Sequence, residues 1–192
     1  MNSNPFVQFD QWYQEAQQLP LNEPTFVTLA TADAQGAPSA RTVLLKHYDE
    51  DGFVFYGNLK SRKMQQLQEN PQVALLFYWM DLDRQIRIEG RVTQIADTQA
   101  DAYFQSRARG SQLGAWASKQ SHVIETPNAI EERLEKYQQR FEGKEVPRPH
   151  FWSGMRVAPH RFEFWRAGEN RLHDRTRYLL KNNEWHTDNL YP

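Results

Sequence analysis

Apolar residues recur at helical spacing at Phe6, Phe9, Tyr13 and Ala16, directly after Asn4-Pro5, a capping residue followed by a proline suited to a first turn. This predicts a short opening helix. From Thr25 the period changes to that of strands. TFVTLATA, ARTVLLKHY and FVFYGN, separated by turns at 33–36 and 49–52, predict closely spaced antiparallel strands. Residues 61–70 predict a short helix closed by Asn-Pro, VALLFYW a buried strand, and RQIRIEGRVTQI a half-exposed one. Residues 98–107 and 111–118 are helical in pattern. Thr126-Pro127 caps the clearest amphipathic helix, with Ile130, Leu134, Tyr137 and Phe141 on one face and Gly143 as its stop. A Pro-rich connector, VPRPHFW, leads to two strand-like runs, HRFEFWRA and RLHDRTRYLL, joined by a turn at 168–170.

Many short strands with helices interspersed predict an α+β fold, mainly β: an antiparallel barrel with peripheral helices, and not a parallel dinucleotide-binding sheet. At 192 residues the chain suits one domain, 1–192. No G-x-G-x-x-G follows a strand and no Walker loop occurs. Lys plus Arg (23) nearly balances Asp plus Glu (24), so no nucleic-acid partner is expected. The absence of cysteine removes disulfides, thiolate nucleophiles and Cys-based metal sites, and the six histidines form no tight pair, so no metal is expected. No apolar run approaches a membrane span and the start lacks a leader pattern, so no membrane is expected and the expected location is cytoplasmic. Six tryptophans supply ring surfaces for a core, an interface or a flat ligand.

Candidate anion sites come from local cations. Arg62 and Lys63 follow Ser61, a good helix cap, and so fall in the first turn, where the helix dipole is already positive. Either an anion sits there or both side chains extend into water. Arg171, His173 and Arg175 alternate along a predicted strand, which lines them up on one face. That face either meets a phosphate or flavin edge, or belongs to an edge strand whose charges discourage wrong pairing. Tyr103, Arg107 and Ser111 recur at intervals of four and share a helix face, unless Gly110 breaks the helix. Arg41 and Lys46, an odd number of positions apart, are expected on opposite strand faces in the absence of a bulge. Gln85, between Arg84 and Arg87, reads as a solvent-facing strand residue or a ligand contact.

Taken in order, the blocks RTVLLKHYD, FYGNLKSRK, ARGSQLGAWASKQS, FWSGMRV and FEFWRAGENRLHDR resemble the pyridoxamine 5'-phosphate oxidase family from about Thr25 to the C-terminus. The resemblance implies an FMN-binding split β-barrel, Greek-key-like and antiparallel, usually a homodimer with FMN between subunits. It implies FMN contacts at Arg41, Thr42, Val43, Leu44, Leu45, Lys46, Tyr56, Gly57, Arg62, Lys63, Gln85, Gln120, Ser121, Trp165 and Arg175. It implies that Lys46, Tyr103, Arg107 and Ser111 hold the 5'-phosphate of a B6 vitamer, and that Arg171 and His173 lie beside its pyridine ring as catalytic residues. The implied reaction converts pyridoxamine or pyridoxine 5'-phosphate to pyridoxal 5'-phosphate in vitamin B6 salvage, with dioxygen as acceptor and hydrogen peroxide as product. Two departures stand out. Residues 1–24, an N-terminal helical segment short for the family, carry no Arg or Lys with which to form a basic lid. Gly57 stands where a hydroxyl residue is common. Alternatives are a phenazine-pathway oxidase of the same barrel, and a non-catalytic flavin- or pyridoxal-phosphate-binding protein.

Overall fold

The computed structural model describes residues 2–19 and 23–192; residues 1 and 20–22 of the expected N-terminal segment lie outside the described residues. The elements are α1 (Pro5–Gln17), β1 (Phe26–Ala32), β2 (Pro38–Leu44), β3 (His47–Asp49), β4 (Gly52–Asn58), α2 (Arg62–Glu69), β5 (Gln72–Trp79) and β6 (Arg84–Gln94), then α3 (Asp97–Ser106), α4 (Arg109–Ala117), α5 (Ala129–Arg140), β7 (Trp152–Arg166), β8 (Asp174–Lys181) and β9 (Glu184–Asn189). All strand pairs are antiparallel, in the order β2-β1-β5-β6-β7-β4-β3, with β8 on β7 and β9 on β8.

That order explains the curl. β2 and β3 stand at opposite ends of the path yet are joined by only Leu45 and Lys46, so the sheet must bend round to bring its ends together. The join is hydrogen-bonded: the Leu45 N–H donates to the Thr25 carbonyl (2.8 Å) and the Lys46 N–H to the Val54 carbonyl (2.9 Å). This yields a split barrel in which the long β7 pairs with β4 through its first half and with β8 through its second.

The core fills the curl with rings. Phe53, Phe77, Phe162 and Phe164 project inward, and α1 stops the barrel with Phe6, Phe9, Trp12 and Tyr13, its Asn4 side chain accepting from the Phe6 N–H at 2.9 Å. Phe9 alone packs against Phe53 and Phe77 in edge-on geometry at 4.9 and 5.2 Å. A second small core of Phe104, Leu113, Phe141, Val146 and Trp152 fastens α3, α4 and the approach to β7 outside the barrel.

Several expectations need correction. ARTVLLKHY is two strands, not one, because the chain changes partner at Leu45-Lys46. β5 alternates instead of being buried on both faces, and Tyr78 is 54% exposed. α5 begins after Asn128, without a side-chain cap; of its expected apolar face, Leu134 and Tyr137 pack half-buried on the second core beside the buried Phe141, whereas Ile130 is exposed. A further strand, β9, follows a turn in which Asn182 and Asn183 both have positive φ, the pairing that a tight hairpin favours.

Candidate active site

A cavity of about 690 Å³ lies where β2, β4 and the start of α2 meet α3, α4 and the loop after it. Arg41, Lys46, Arg62, Lys63 and Arg107 line it, and no Asp or Glu does among the described residues. Such a concentration of one charge in a concave wall focuses a positive field and selects an anion.

Each cation is placed by its own local structure. Arg41, on β2, donates through Nη1 to the Leu29 carbonyl (3.1 Å) and Thr31 Oγ1 (2.7 Å), and through Nη2 to Ser39 Oγ (2.5 Å). Gln66 Oε1 accepts from Thr31 Oγ1 (2.7 Å) and Ser39 Oγ (2.8 Å), so this same network docks α2 on the first hairpin. The helix N-terminus is thereby held against Arg41. Ser61 occupies the cap position, but its hydroxyl makes no capping bond; it accepts from Lys63 Nζ at 3.4 Å instead.

Lys63 is 9% exposed, with Nζ donating to Gln120 Oε1 at 2.8 Å. Burial first, and the Arg41 charge second, bring its ammonium down from 10.5 to about 8. Gly57 makes room for it: a Cβ there would stand 3.2 Å from both Lys63 Cε and Nζ. The missing side chain at Gly57 is therefore space that the lysine occupies. Lys46 reaches the same cavity as Arg41, against the parity argument, because it lies past the end of β2 in the two-residue join.

The opposite wall is a stack of rings. Tyr56 lies 4.0 Å from Tyr103 and 5.2 Å from Trp152, with interplanar angles of 21° and 13°. Gly154, the cross-strand partner of Tyr56, permits this, since a Cβ there would come within 2.7 Å of the tyrosine ring. Arg107 caps the stack with its guanidinium 4.9 Å over Trp152. Its Nη1 is buried and has no hydrogen-bond partner. The helix breaks at Arg107 and Ala108, not at Gly110: α3 ends at Ser106 and α4 starts at Arg109. Tyr103, Arg107 and Ser111 nevertheless line one cavity. Arg148 holds α3 in place, donating to Asp97 (2.7 Å), Asp101 (2.5 Å) and the Trp152 carbonyl (2.7 Å).

Thr42, Val43, Leu44, Gln120 and Ser121 also line the cavity, whereas Leu45 turns its side chain into the core. Asn58, Gly114, Ala115, Ser118 and Trp152 line it too and were not singled out from sequence. All lie in the blocks that carry the family resemblance, Asn58 in FYGNLKSRK, Gly114, Ala115 and Ser118 in ARGSQLGAWASKQS, and Trp152 in FWSGMRV.

Gln85, Trp165, Arg171, His173 and Arg175 do not line this cavity. Gln85, Trp165 and Arg175 are successive register partners on β6, β7 and β8, hence neighbours on one face, turned away from the core. The expected row Arg171, His173, Arg175 does not form, because β8 starts only at Asp174 and Asn170 and Arg171 both adopt positive φ. His173 instead packs on Trp165, ring centroids 4.6 Å apart, and accepts through Nδ1 from the Gly168 N–H at 3.3 Å.

Residues 13–141 match the family model described as pyridoxamine 5'-phosphate oxidase, and residues 152–192 match that of the pyridoxine 5'-phosphate oxidase C-terminal dimerisation region. A pyridoxine/pyridoxamine 5'-phosphate oxidase of Rubrobacter xylanophilus is 52% identical over 189 residues, spanning 98% of this chain and 87% of the relative. One from Zymomonas mobilis is 49% identical and covers both chains completely. Among solved structures, PhzG from Burkholderia lata, in complex with tetrahydrophenazine-1-carboxylic acid, superposes with a TM-score of 0.94 at 30% identity over 100% of this chain and 94% of its own.

Proposed function

This chain belongs to the pyridoxamine 5'-phosphate oxidase family of oxidoreductases, and we propose that it oxidises pyridoxamine and pyridoxine 5'-phosphates to pyridoxal 5'-phosphate with FMN and dioxygen. The observation that carries this reading is the cavity with five cations and, among the described residues, no lining carboxylate and no partner for a buried guanidinium nitrogen.

The residues present fit FMN. Arg62 and Lys63 at the α2 terminus, with Arg41 beside them, are the group that would take its phosphate. Gln120 and Ser121 close the same side. Bound there, FMN would supply the redox chemistry: acceptance of a hydride from the substrate carbon that bears the amine or hydroxyl, and delivery of the two electrons to dioxygen, which leaves as hydrogen peroxide.

The chain's own residues bind and orient. Lys46, Tyr103, Arg107 and Ser111 take the vitamer phosphate, and each charge-assisted bond there is worth about 1.5–3 kcal/mol. The Tyr56, Tyr103 and Trp152 stack excludes water from that end. Arg171 orients the pyridine ring and shields it, and His173 hydrogen-bonds near the reacting edge; neither is an obligatory general base. Because His173 packs on Trp165 of the outward sheet face, Arg171 lies in the turn just before it, and neither lines the cavity of its own chain, this reading requires a second copy of the chain to bring them there. The match of 152–192 to a dimerisation region supports this homodimer with FMN between subunits. On this reading the whole of 1–192 is one FMN-binding domain that acts in B6 salvage in the cytoplasm; no helix among the described residues is long and apolar enough to cross a membrane.

The likeness to PhzG favours one rival, oxidation of a carboxylated reduced phenazine. Oxygen uptake and peroxide release by the FMN-loaded protein decide between them: the proposal requires turnover of both phosphorylated vitamers, and turnover of only the tricyclic acid establishes the rival.

A further inference from the structure

Glu163 lies on β7 with its side chain on the sheet face turned away from the core, yet it is only 2% exposed. Three guanidiniums bury it. Arg175 donates to its Oε1 through Nε (2.9 Å) and Nη2 (2.7 Å), and Arg87 donates to Oε2 at 3.1 Å. Arg161 stands 3.7 Å from the same Oε2. Glu89 offsets part of the excess, at 3.5 Å from Arg87 and 3.6 Å from Arg161. A carboxylate enclosed in this way specifies the geometry of whatever it holds, since a charge so far from water keeps its partners or destabilises the state.

Arg175 is the partner it holds most completely. Nε and Nη2 chelate one carboxylate oxygen, and Nη1 donates to the Tyr191 carbonyl at 2.9 Å, so the plane of the guanidinium is set from three directions. One N–H remains on each terminal nitrogen. Arg175 is also the cross-strand partner of Trp165, on which His173 packs, and Trp165 in turn is the partner of Gln85. A shift of the Arg175 plane would therefore disturb the outward row as a unit.

We infer that Glu163 is a positioning residue for the cofactor: through its chelate with Arg175 it fixes the guanidinium, and with it the Trp165 and His173 pair, in the orientation that meets the flavin. This rests on the assignment of Arg175 to FMN made above. It gives the buried carboxylate a purpose beyond sheet pairing, for which an apolar cross-strand residue would serve as well.

A double-mutant cycle on the full-length protein tests it, with FMN dissociation constants from quenching of flavin fluorescence and melting curves recorded for each variant. R175A is expected to weaken FMN binding by at least about tenfold, and E163Q to do the same in the native background. In the R175A background E163Q should change FMN affinity by less than about twofold, because its route to the cofactor is already gone. E163D, which keeps the charge but draws the carboxylate back from Arg175 by one methylene, should also weaken FMN binding in the native background and not in R175A, and carries the test if E163Q does not fold. Equal weakening by E163Q in both backgrounds, or none in the native one, overturns the inference while leaving Arg175 at the flavin. Unchanged FMN affinity in R175A instead overturns the assignment of Arg175, and the inference with it.

Discussion

The Arg107 guanidinium carbon stands over the Trp152 ring, 4.9 Å from its centroid, with Nη1 buried and unpaired among the described residues. A donor left in that condition costs stability unless a ligand completes it. R107A should therefore lower kcat/KM for pyridoxine 5'-phosphate by about 10- to 100-fold, mainly through KM. R107K should recover only part of this, since an ammonium keeps the charge but not the planar stack. Steady-state oxygen uptake with the three proteins is the check.

Trp152 is 6% exposed and joins the ring stack to the outer core, so W152A removes packing from both. A loss of about 3–5 kcal/mol is expected, visible as a large drop in melting temperature. W152F should retain most of the stability. A melting point for W152A close to the native one would show that the stack is not held by this ring.

Lys63 makes both stability and FMN binding depend on pH. Its ammonium is lowered from 10.5 to about 8, chiefly by burial, so in the protein without ligand the charged form opposes folding below pH 8 and that penalty is relieved as pH rises toward 10.5. A bound phosphate reverses the preference. FMN affinity should be flat below pH 8 and weaken above it, by up to about tenfold per pH unit, as the lysine loses its proton. K63M should bind FMN more weakly at pH 7 and lack the fall above pH 8. Flavin fluorescence titrations between pH 6 and 10 measure both.

Arg171 sits in the turn before β8 with positive φ and does not line the cavity of its own chain. If it orients the vitamer over the flavin of a partner, R171A should slow oxidation by about 10- to 100-fold while the flavin absorption spectrum stays intact. Loss of bound FMN in that variant would place the residue at the cofactor instead of the substrate.

Most of the barrel could be read from residue periodicity because strands and helices here obey local rules. α1 has its Asn4 cap, and α2 ends where Asn-Pro says it must. The misreadings fall where a distant contact decides. Lys46 follows an alternating pattern, but the closure of the sheet at Leu45-Lys46 rotates it toward Arg41, and no local signal announces a strand that changes partner. RLHDR alternates as well, yet Gly168 to Arg171 form a turn that delays β8 until Asp174. The cations of the cavity were recognisable one cluster at a time, from the misplaced charges at Arg62 and Lys63 and the spacing of Tyr103, Arg107 and Ser111. What joins them, the Gln66 network and the Arg148 clamp, is visible only once the chain is folded.

Everything proposed for this chain depends on its cavity recognising a phosphate carried by the vitamer. Oxygen consumption by the FMN-saturated protein, compared at equal concentrations of pyridoxine 5'-phosphate and free pyridoxine, tests it most directly. With several charge-assisted bonds to the phosphate, kcat/KM should be at least about 1,000-fold lower for the free vitamer. Equal turnover of the two would contradict it.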